Sequence, residues 1–200
     1  MTIPNILKHI NKDFFAENSL SDLQELVENG VIEQSLLSSE WLGYKPSSTS
    51  EIADLEVRLG TTLPKSYKEF LATSNGFRNI SLFKDNLLTA DKVNWAKVTE
   101  KSWWFDLLEQ DIIVSDEEYF NYVQPQDEIK FRGEYFRKSL KISNWYNGMC
   151  IFLNPIIKFG DEWEVLEYAT WFPGARRYKS FKDFLITTHS DNQERIKNFS

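Results

Sequence analysis

The feature that most constrains this chain is a pair of short helix patterns in residues 50–77, SEIADLEVRLGTTLPKSYKEFLATSNGF. Ser50 is the candidate N-cap of the first helix, and Gly60 stands where a left-handed C-cap residue is needed. Between them, apolar residues repeat at the spacing of one buried helical face: Ile52, Leu55 and Leu59. The pattern therefore predicts a short helix that buries one side.

The second helix pattern begins at Pro64, whose missing N–H group costs nothing in the first turn of a helix. Its buried stripe consists of Tyr67, Phe70 and Leu71. Asn75-Gly76 then supplies a stop signal. Because only residues 61–63 connect the two patterns, we expect the helices to pack against each other as a pair.

The chain divides into three parts. A helical lead-in is followed by KPSSTS at residues 45–50, which has the composition of a linker. We therefore expect a helical N-terminal extension at residues 1–47, a main domain at residues 48–189 and a C-terminal tail at residues 190–200.

The remaining secondary structure is predicted from periodicity and turn signals. Residues 89–110 have a helical pattern. The predicted strands are Ile80–Phe83, Leu140–Asn144, Met149–Leu153 and Trp163–Tyr168. Turns or helix caps are predicted at Ser21 with Gln24, Asn29-Gly30, Asn147-Gly148, Pro173-Gly174 and Ser180 with Asp183. The predicted helices lie mostly in the first part of the chain, and the hairpin-like strands lie in the later part. This order predicts an α+β fold with a mainly antiparallel sheet.

Two segments resemble a known family. The helix pair has the pattern LG, LP-x-x-Y-x-x-F-L, NG between Leu59 and Gly76. A second segment, DEWEVLEYATWFPGARRYKSFKDFL, begins at Asp161. Both resemble motifs of the SUKH superfamily, the group around the fungal Smi/Knr cell-wall regulators, and they occur in the order that the family has. The resemblance covers residues 48–189.

The resemblance implies a bent, mainly antiparallel sheet with helices packed around it. It also implies a functional class, because many bacterial members resemble immunity proteins that neutralise polymorphic or contact-dependent toxins, often nucleases or deaminases. The fungal branch resembles a scaffold in cell-wall signalling, and neither branch is known for catalysis. The shared motif residues are mostly structural, so the resemblance does not assign the residues that would contact a toxin.

The net charge of −7 argues against two classes of partner. A nucleic-acid binder needs a basic face for phosphates, and adhesion to an anionic membrane needs one for lipid headgroups. A single cysteine excludes an internal disulfide and fits a reducing compartment. The N-terminus lacks the apolar core of a signal peptide, so we expect a cytoplasmic protein. The oligomeric state is left open.

The sequence shows no complete catalytic or cofactor motif. The two histidines, His9 and His189, lie in opposite terminal segments, whereas a metal or nucleophilic site would need them beside other ligands. Cys150 lies in the apolar run MCIFL and is expected to be a core thiol. Glycine-rich phosphate loops are missing. We therefore expect no enzyme activity, no cofactor and no metal.

The candidate partner-binding surface is the acidic run between Phe105 and Glu128, which carries eight carboxylates and no Lys or Arg. Its first interpretation is a solvated face, and its second is a surface that meets a basic protein toxin. Trp and Tyr, common in binding hot spots, accompany the acids. The predicted contact residues are Trp104, Asp106, Glu109, Asp111, Asp116, Glu117, Glu118 and Tyr119.

Basic residues elsewhere are interpreted as internal partners. Arg176 or Arg177 is expected to hold Glu164 or Glu167 across the sheet, with ligand binding as the alternative. The cluster that follows the acidic run is expected to balance it: Lys130, Arg132, Arg137, Lys138 and Lys141.

Three functions follow from these patterns. The leading hypothesis is a non-catalytic immunity protein that occludes a toxin, and the alternative is a protein-binding regulatory scaffold of the Smi/Knr type. A third is an enzyme that uses unrecognised carboxylates among Asp111, Asp116, Glu117 and Glu118.

Overall fold

A computed structural model describes residues 1–30, 32–81, 86–109, 113–123, 125–171 and 174–199. Its α-helices are α1 (Ile3–Glu17), α2 (Leu20–Glu28), α3 (Gln34–Ser39), α4 (Thr49–Leu59), α5 (Lys65–Thr73), α6 (Ala96–Thr99), α7 (Ser102–Leu108), α8 (Asp116–Tyr119) and α9 (Phe181–Phe199). A 3₁₀ helix spans Gly133–Lys138. The strands are β1 (Asn94–Trp95), β2 (Leu140–Lys141), β3 (Met149–Phe159), β4 (Glu162–Ala169) and β5 (Gly174–Tyr178).

The helix pair forms as predicted, with its first cap moved by two residues. The N-cap of α4 is Ser48 rather than Ser50, because Ser48 and Glu51 form a reciprocal capping box. Gly60 ends the helix in the left-handed conformation, with φ of 65°. Pro64 is the N-cap of α5. The Glu56 carboxylate accepts a hydrogen bond of 2.7 Å from the Leu63 backbone N–H, which fixes the connection.

Several other local predictions need correction. The capping box of α2 is formed by Ser19 and Asp22, not by Ser21 and Gln24. The helical pattern at residues 89–110 contains a strand and two short helices, because its backbone pairs with β2 before α6 begins. The predicted strand Ile80–Phe83 extends into residues 82–85, which lie outside the described residues. Pro173 of the predicted turn lies outside them as well.

The sheet is open and antiparallel, with strand order β1-β2-β3-β4-β5. Asn147 and Gly148, at φ of 45° and 76°, form the predicted tight turn before β3. Strand β3 is longer than its apolar run, and the β3–β4 register shifts between Asn154 and Lys158. Such a bulge bends a strand. The fold class is therefore the predicted α+β arrangement.

Both faces of the sheet are covered, so its central strands are buried on both sides. The larger core contains helices α1, α4, α5 and α9 and one face of the sheet, including Ile151, Leu153 and Val165. The other face carries a mainly aromatic core built from α7, the 3₁₀ helix and the sheet: Trp104, Phe105, Phe136, Phe152 and Tyr168 are among its members.

The N-terminal helix is part of the larger core. Four residues of α1 are fully buried where it packs against α5 and α9: Ile3, Ile6, Leu7 and Ile10. Polar contacts to α9 add to this packing, because buried Asp13 accepts from His189 at 2.7 Å and from Gln193, and Glu17 pairs with Arg195. Helix α9 runs without a break from the predicted main domain into residues 190–199.

We predict that Ile6→Ala lowers the free energy of unfolding by about 2–5 kcal/mol, because it removes fully buried methyl groups and leaves a cavity. Urea unfolding measured by circular dichroism gives this value. The matched control is Val57→Ala, since Val57 is 82% exposed on α4 and its loss should change stability by about 0.5 kcal/mol or less. Equal effects of the two changes would contradict the buried role of α1.

Candidate partner-binding surface

Helix α7 presents an apolar pair to solvent. Trp104, Phe105 and Leu108 face inward, whereas Trp103 and Leu107 are 61% and 53% exposed. Because they are four residues apart, Trp103 and Leu107 lie next to each other on one helical face. We call these two residues the α7 apolar pair.

Two predicted contact residues are buried. Trp104 stacks on Phe152 with ring centroids 5.7 Å apart, and Tyr119 is 0% exposed. Neither side chain can therefore be a direct contact residue on this surface. Of the three consecutive rings Trp103-Trp104-Phe105, the one at the surface belongs to Trp103. The phase of a seven-residue helix depends on what it packs against, which the sequence does not state.

The acidic run is largely paired with basic side chains. Arg137 of the 3₁₀ helix bridges Asp106 at 3.0 Å and Glu109 at 2.9 Å. The other pairs are Asp116 with Arg132 at 2.5 Å, Glu118 with Lys130 at 2.7 Å and Glu128 with Arg176 at 3.2 Å. The predicted internal charge balance is therefore confirmed for Lys130, Arg132 and Arg137, and Lys141 pairs instead with Glu100.

The remaining acids differ in their surroundings. Glu117 and Asp127 are exposed and form no ion pair with a described residue, and Asp111 lies outside the described residues. Glu118 also caps α8 through Ser115. Hydrogen bonds from Lys130 and from the Ser115 backbone lower the pKa of Glu118. Among the described residues, Glu117 is thus the acid of α8 that has no ion-pair partner.

A buried polar cluster lies beneath α8 and the loop that follows it. Glu164 of β4 is 0% exposed and accepts hydrogen bonds from Tyr119 Oη and Tyr122 Oη, each at 2.6 Å, and from Asn154 Nδ2 at 2.7 Å. Burial raises the pKa of Glu164, and the three hydrogen bonds and the charge of Arg177 oppose that shift. The cluster ties residues 119–122 to the sheet.

Arg177 of β5 completes this cluster. It lies opposite Leu166, so it is a diagonal neighbour of Glu164 on the same face of the sheet. Its guanidinium carbon is 4.7 Å from the centroid of the Tyr119 ring and 5.5 Å from that of Tyr122. Tyr122 and Asn154 were not predicted as site residues, and the sequence carries no local pattern that joins them to Glu164.

The other arginine serves the opposite face. Arg176 lies directly across from Glu167, which accepts a hydrogen bond of 2.5 Å from Tyr178 Oη. Burial works to lower the pKa of Arg176, but the charge of Glu167 and its other partners produce a net upward shift. The predicted placement of an arginine across the sheet from a carboxylate is confirmed for Arg176 and Glu167. Arg176 forms ion pairs with Glu128 at 3.2 Å and with Asp191 at 3.9 Å.

The outer edge of β5 is covered by the loop after α8. The Gln126 side chain accepts from the Arg177 backbone N–H at 3.0 Å and donates to its carbonyl at 2.6 Å, while the Glu128 carbonyl accepts from Ala175 N–H at 2.9 Å. An uncovered edge would offer these groups to another strand. Strand addition at β5 is thus blocked by the chain itself.

The residues considered for catalysis are placed as follows. Burial raises the pKa of Cys150 to about 12, which suits a core thiol rather than a nucleophile. His9 and His189 lie in opposite terminal segments, but α1 and α9 bring their ring centroids to 5.2 Å from each other. Within the described residues, no three His, Cys, Asp or Glu side chains converge as metal ligands.

A sheet covered by helices on both faces, with the paired motifs at residues 59–76 and 161–185 in place, is the architecture that the resemblance implied. Residues 46–187 match the sequence model described as the SMI1 / KNR4 family (SUKH-1). This match spans more than half of the chain, and the chain belongs to that family. A comparison with curated proteins finds no match. The described helices include none long and apolar enough to cross a membrane.

We predict that Tyr119→Phe lowers stability by about 1.5–3 kcal/mol near neutral pH, because it removes a hydrogen bond to a buried carboxylate. In the folded protein the pKa of Glu164 is raised, so the native state holds the proton of the Glu164 carboxyl group more tightly than the unfolded chain does. The stability gained from this proton is therefore complete below the pKa that Glu164 has in the unfolded chain. It falls as pH rises through the pKa that Glu164 has in the folded protein.

Tyr119→Phe removes one of the hydrogen bonds that oppose the upward pKa shift of Glu164. The decline of stability with rising pH should therefore extend to higher pH in this variant. Urea unfolding at several pH values between 5 and 8 measures how the free energy of unfolding declines. Tyr146→Phe is the control, because Tyr146 is 42% exposed and its backbone pairs with Met149, which lies opposite Ala169, five residues along β4 from Glu164. Parallel pH profiles for wild type and Tyr119→Phe would contradict this account of Glu164.

Proposed function

We propose that this chain is a cytoplasmic, non-catalytic immunity protein that binds a cognate bacterial toxin and blocks it stoichiometrically. Membership of the SMI1/KNR4 (SUKH-1) family supports the class. The observation that carries the proposed binding site is the α7 apolar pair, Trp103 and Leu107, since large apolar side chains exposed together on one helical face are typical of a protein interface.

The surroundings of the α7 apolar pair have the organisation of an interface. Asp106 and Glu109, held by Arg137, place a charged rim beside the two apolar side chains. Interfaces commonly combine an apolar centre with such a polar rim. Arg137 also lies over the Phe105 ring at 4.6 Å, which fixes the rim to α7.

Charge contributes to the approach of the partner more than to its final affinity. The ion pairs reduce the field of the acidic run, but Glu117 and Asp127 keep unpaired charge within the described part of the chain. With a net charge of −7, they favour encounter with a basic domain such as a nuclease or deaminase. The proposal therefore assigns anchoring to the apolar pair and steering to these two carboxylates.

The second candidate is a protein-binding regulatory scaffold, which the SMI1/KNR4 description of the matching family supports equally. A tagged pull-down from the native host, with competing strains present and mass spectrometry as readout, separates the two. Recovery of a toxin domain at about 1:1 stoichiometry supports immunity. Recovery of host signalling or wall-synthesis proteins alone supports the scaffold and overturns the immunity proposal.

We predict that Trp103→Ala weakens binding of the recovered partner by about 30-fold, because loss of a central Trp anchor costs about 2 kcal/mol or more. Isothermal titration calorimetry measures the dissociation constant. Leu107→Ala and Leu20→Ala form a matched pair, since both leucines are on helices and are more than half exposed. We expect Leu107→Ala to weaken binding and Leu20→Ala to leave it unchanged. Equal dissociation constants for all variants and the wild type would show that α7 is not part of the interface.

We also predict that Glu117→Lys slows association with a basic partner and reduces its dependence on salt, while dissociation changes little. Glu117 is chosen because a change at Asp116 or Glu118 would also break an ion pair or the cap of α8. Stopped-flow kinetics at low and physiological salt provide the measurement. An unchanged association rate at low salt would contradict the steering role.

A further inference from the structure

A cavity of about 440 Å³ opens between the loop after α8 and the start of α9. Its buried lining residues are Gln126, Arg177 and Tyr178. Exposed residues form its mouth: Phe120, Asn121, Val123, Lys179 and Asp183. Nothing in the proposed toxin contact on α7 uses this cavity, which we call the Arg177 notch.

Arg177 lines the notch, and its buried side chain has hydrogen-bond donors that are unused among the described residues. Its side chain is 1% exposed, and its Nε and Nη1 atoms have no hydrogen-bond partner among the described residues. Nη2 contacts the Asn121 carbonyl at a long 3.4 Å. Glu164, a buried carboxylate that feels the charge of Arg177, accepts hydrogen bonds from two tyrosines and Asn154. A buried cation with unused donors favours an external acceptor.

The composition of the notch favours a carboxylate on a carbon stem. Phe120, Tyr122 and Val123 provide apolar wall, which suits an amphiphilic group more than a fully hydrated ion. Lys179 adds a second positive charge at the mouth. Asp183 at the mouth and Glu164 behind Arg177 would repel a dianion such as phosphate more strongly than a monoanion.

We propose that the Arg177 notch binds a carboxylate group, donated either by an acidic side chain or C-terminus of a bound protein or by a free small carboxylic acid. The guanidinium of Arg177 is the buried donor, and Lys179 attracts the anion at the mouth. This site goes beyond the proposed toxin contact, and it does not depend on the identity of the partner.

The test uses the full chain and nuclear magnetic resonance of the arginine Nε–H groups. Sodium acetate is titrated against sodium chloride of equal ionic strength. The Arg177 Nε–H resonance should shift with acetate and saturate, whereas that of Arg176 should stay, because its Nε already donates to Glu128 at 3.2 Å. A response of Arg177 that is the same in both salts overturns the proposal.

Two peptides distinguish the source of the carboxylate. Ac-Gly-Glu-Gly-NH₂ and Ac-Gly-Gln-Gly-NH₂ present the same stem with and without the charge. Tighter binding of the Glu peptide than of acetate supports a protein source, and binding of acetate alone supports a free acid. Equal binding of the Glu and Gln peptides overturns the proposal, because the site would then accept a neutral carbonyl. Sodium phosphate that binds more tightly than acetate would overturn it as well.

Variants locate the response. Acetate should raise the melting temperature of the wild-type protein, and Arg177→Gln should abolish that rise. Lys179→Gln leaves the hydrogen bonds of the buried cluster to Glu164 in place and should raise the dissociation constant about fivefold, so it decides the question if Arg177→Gln does not fold. Lys8→Gln, an exposed position on α1, is the matched control. Wild-type affinity in Lys179→Gln together with a response in Arg177→Gln would overturn the assignment.

Discussion

The structure depends on how β4 keeps two carboxylates inside a sheet that is covered on both faces. Glu164 and Glu167 are both 0% exposed, and an unpaired buried carboxylate would be costly. Because they lie on opposite faces, each needs partners of its own. Glu167 faces Arg176 and Tyr178 of β5. Glu164 accepts hydrogen bonds from Tyr119 of α8 and from Tyr122 of the loop that follows.

That requirement organises the face on which we place binding. The tyrosines that serve Glu164 fix α8 and the following loop, and Gln126 and Glu128 then close the edge of β5. The loop is consequently held over Arg177, which leaves a notch with unused donors. Helix α7, anchored separately by its aromatic residues, is free to present Trp103 and Leu107. The same scaffold thus carries the two recognition features that we propose, one apolar and one cationic.

Much of the fold was predictable because its signals are local. The helix pair, Gly60, the Asn147-Gly148 turn and the cap at Ser180 each depend on a few neighbouring residues. Errors of two residues at Ser50 and Ser21 arose because several serines precede each helix, and only the backbone selects the one that caps. The site was less predictable: of the proposed contacts, Trp104 and Tyr119 proved to be core residues.

The sequence by itself determined the family, the α+β class and the positions of its turns, since motif spacing and periodicity act over short separations. Only the tertiary structure decided which tryptophan of α7 faces solvent, which acids meet an arginine, and that His9 and His189 come together. It also decided that Arg177 has donors without a partner among the described residues. The physical reason is that burial and charge pairing join residues far apart in the chain, such as Tyr119 and Glu164, whose contact no local pattern specifies.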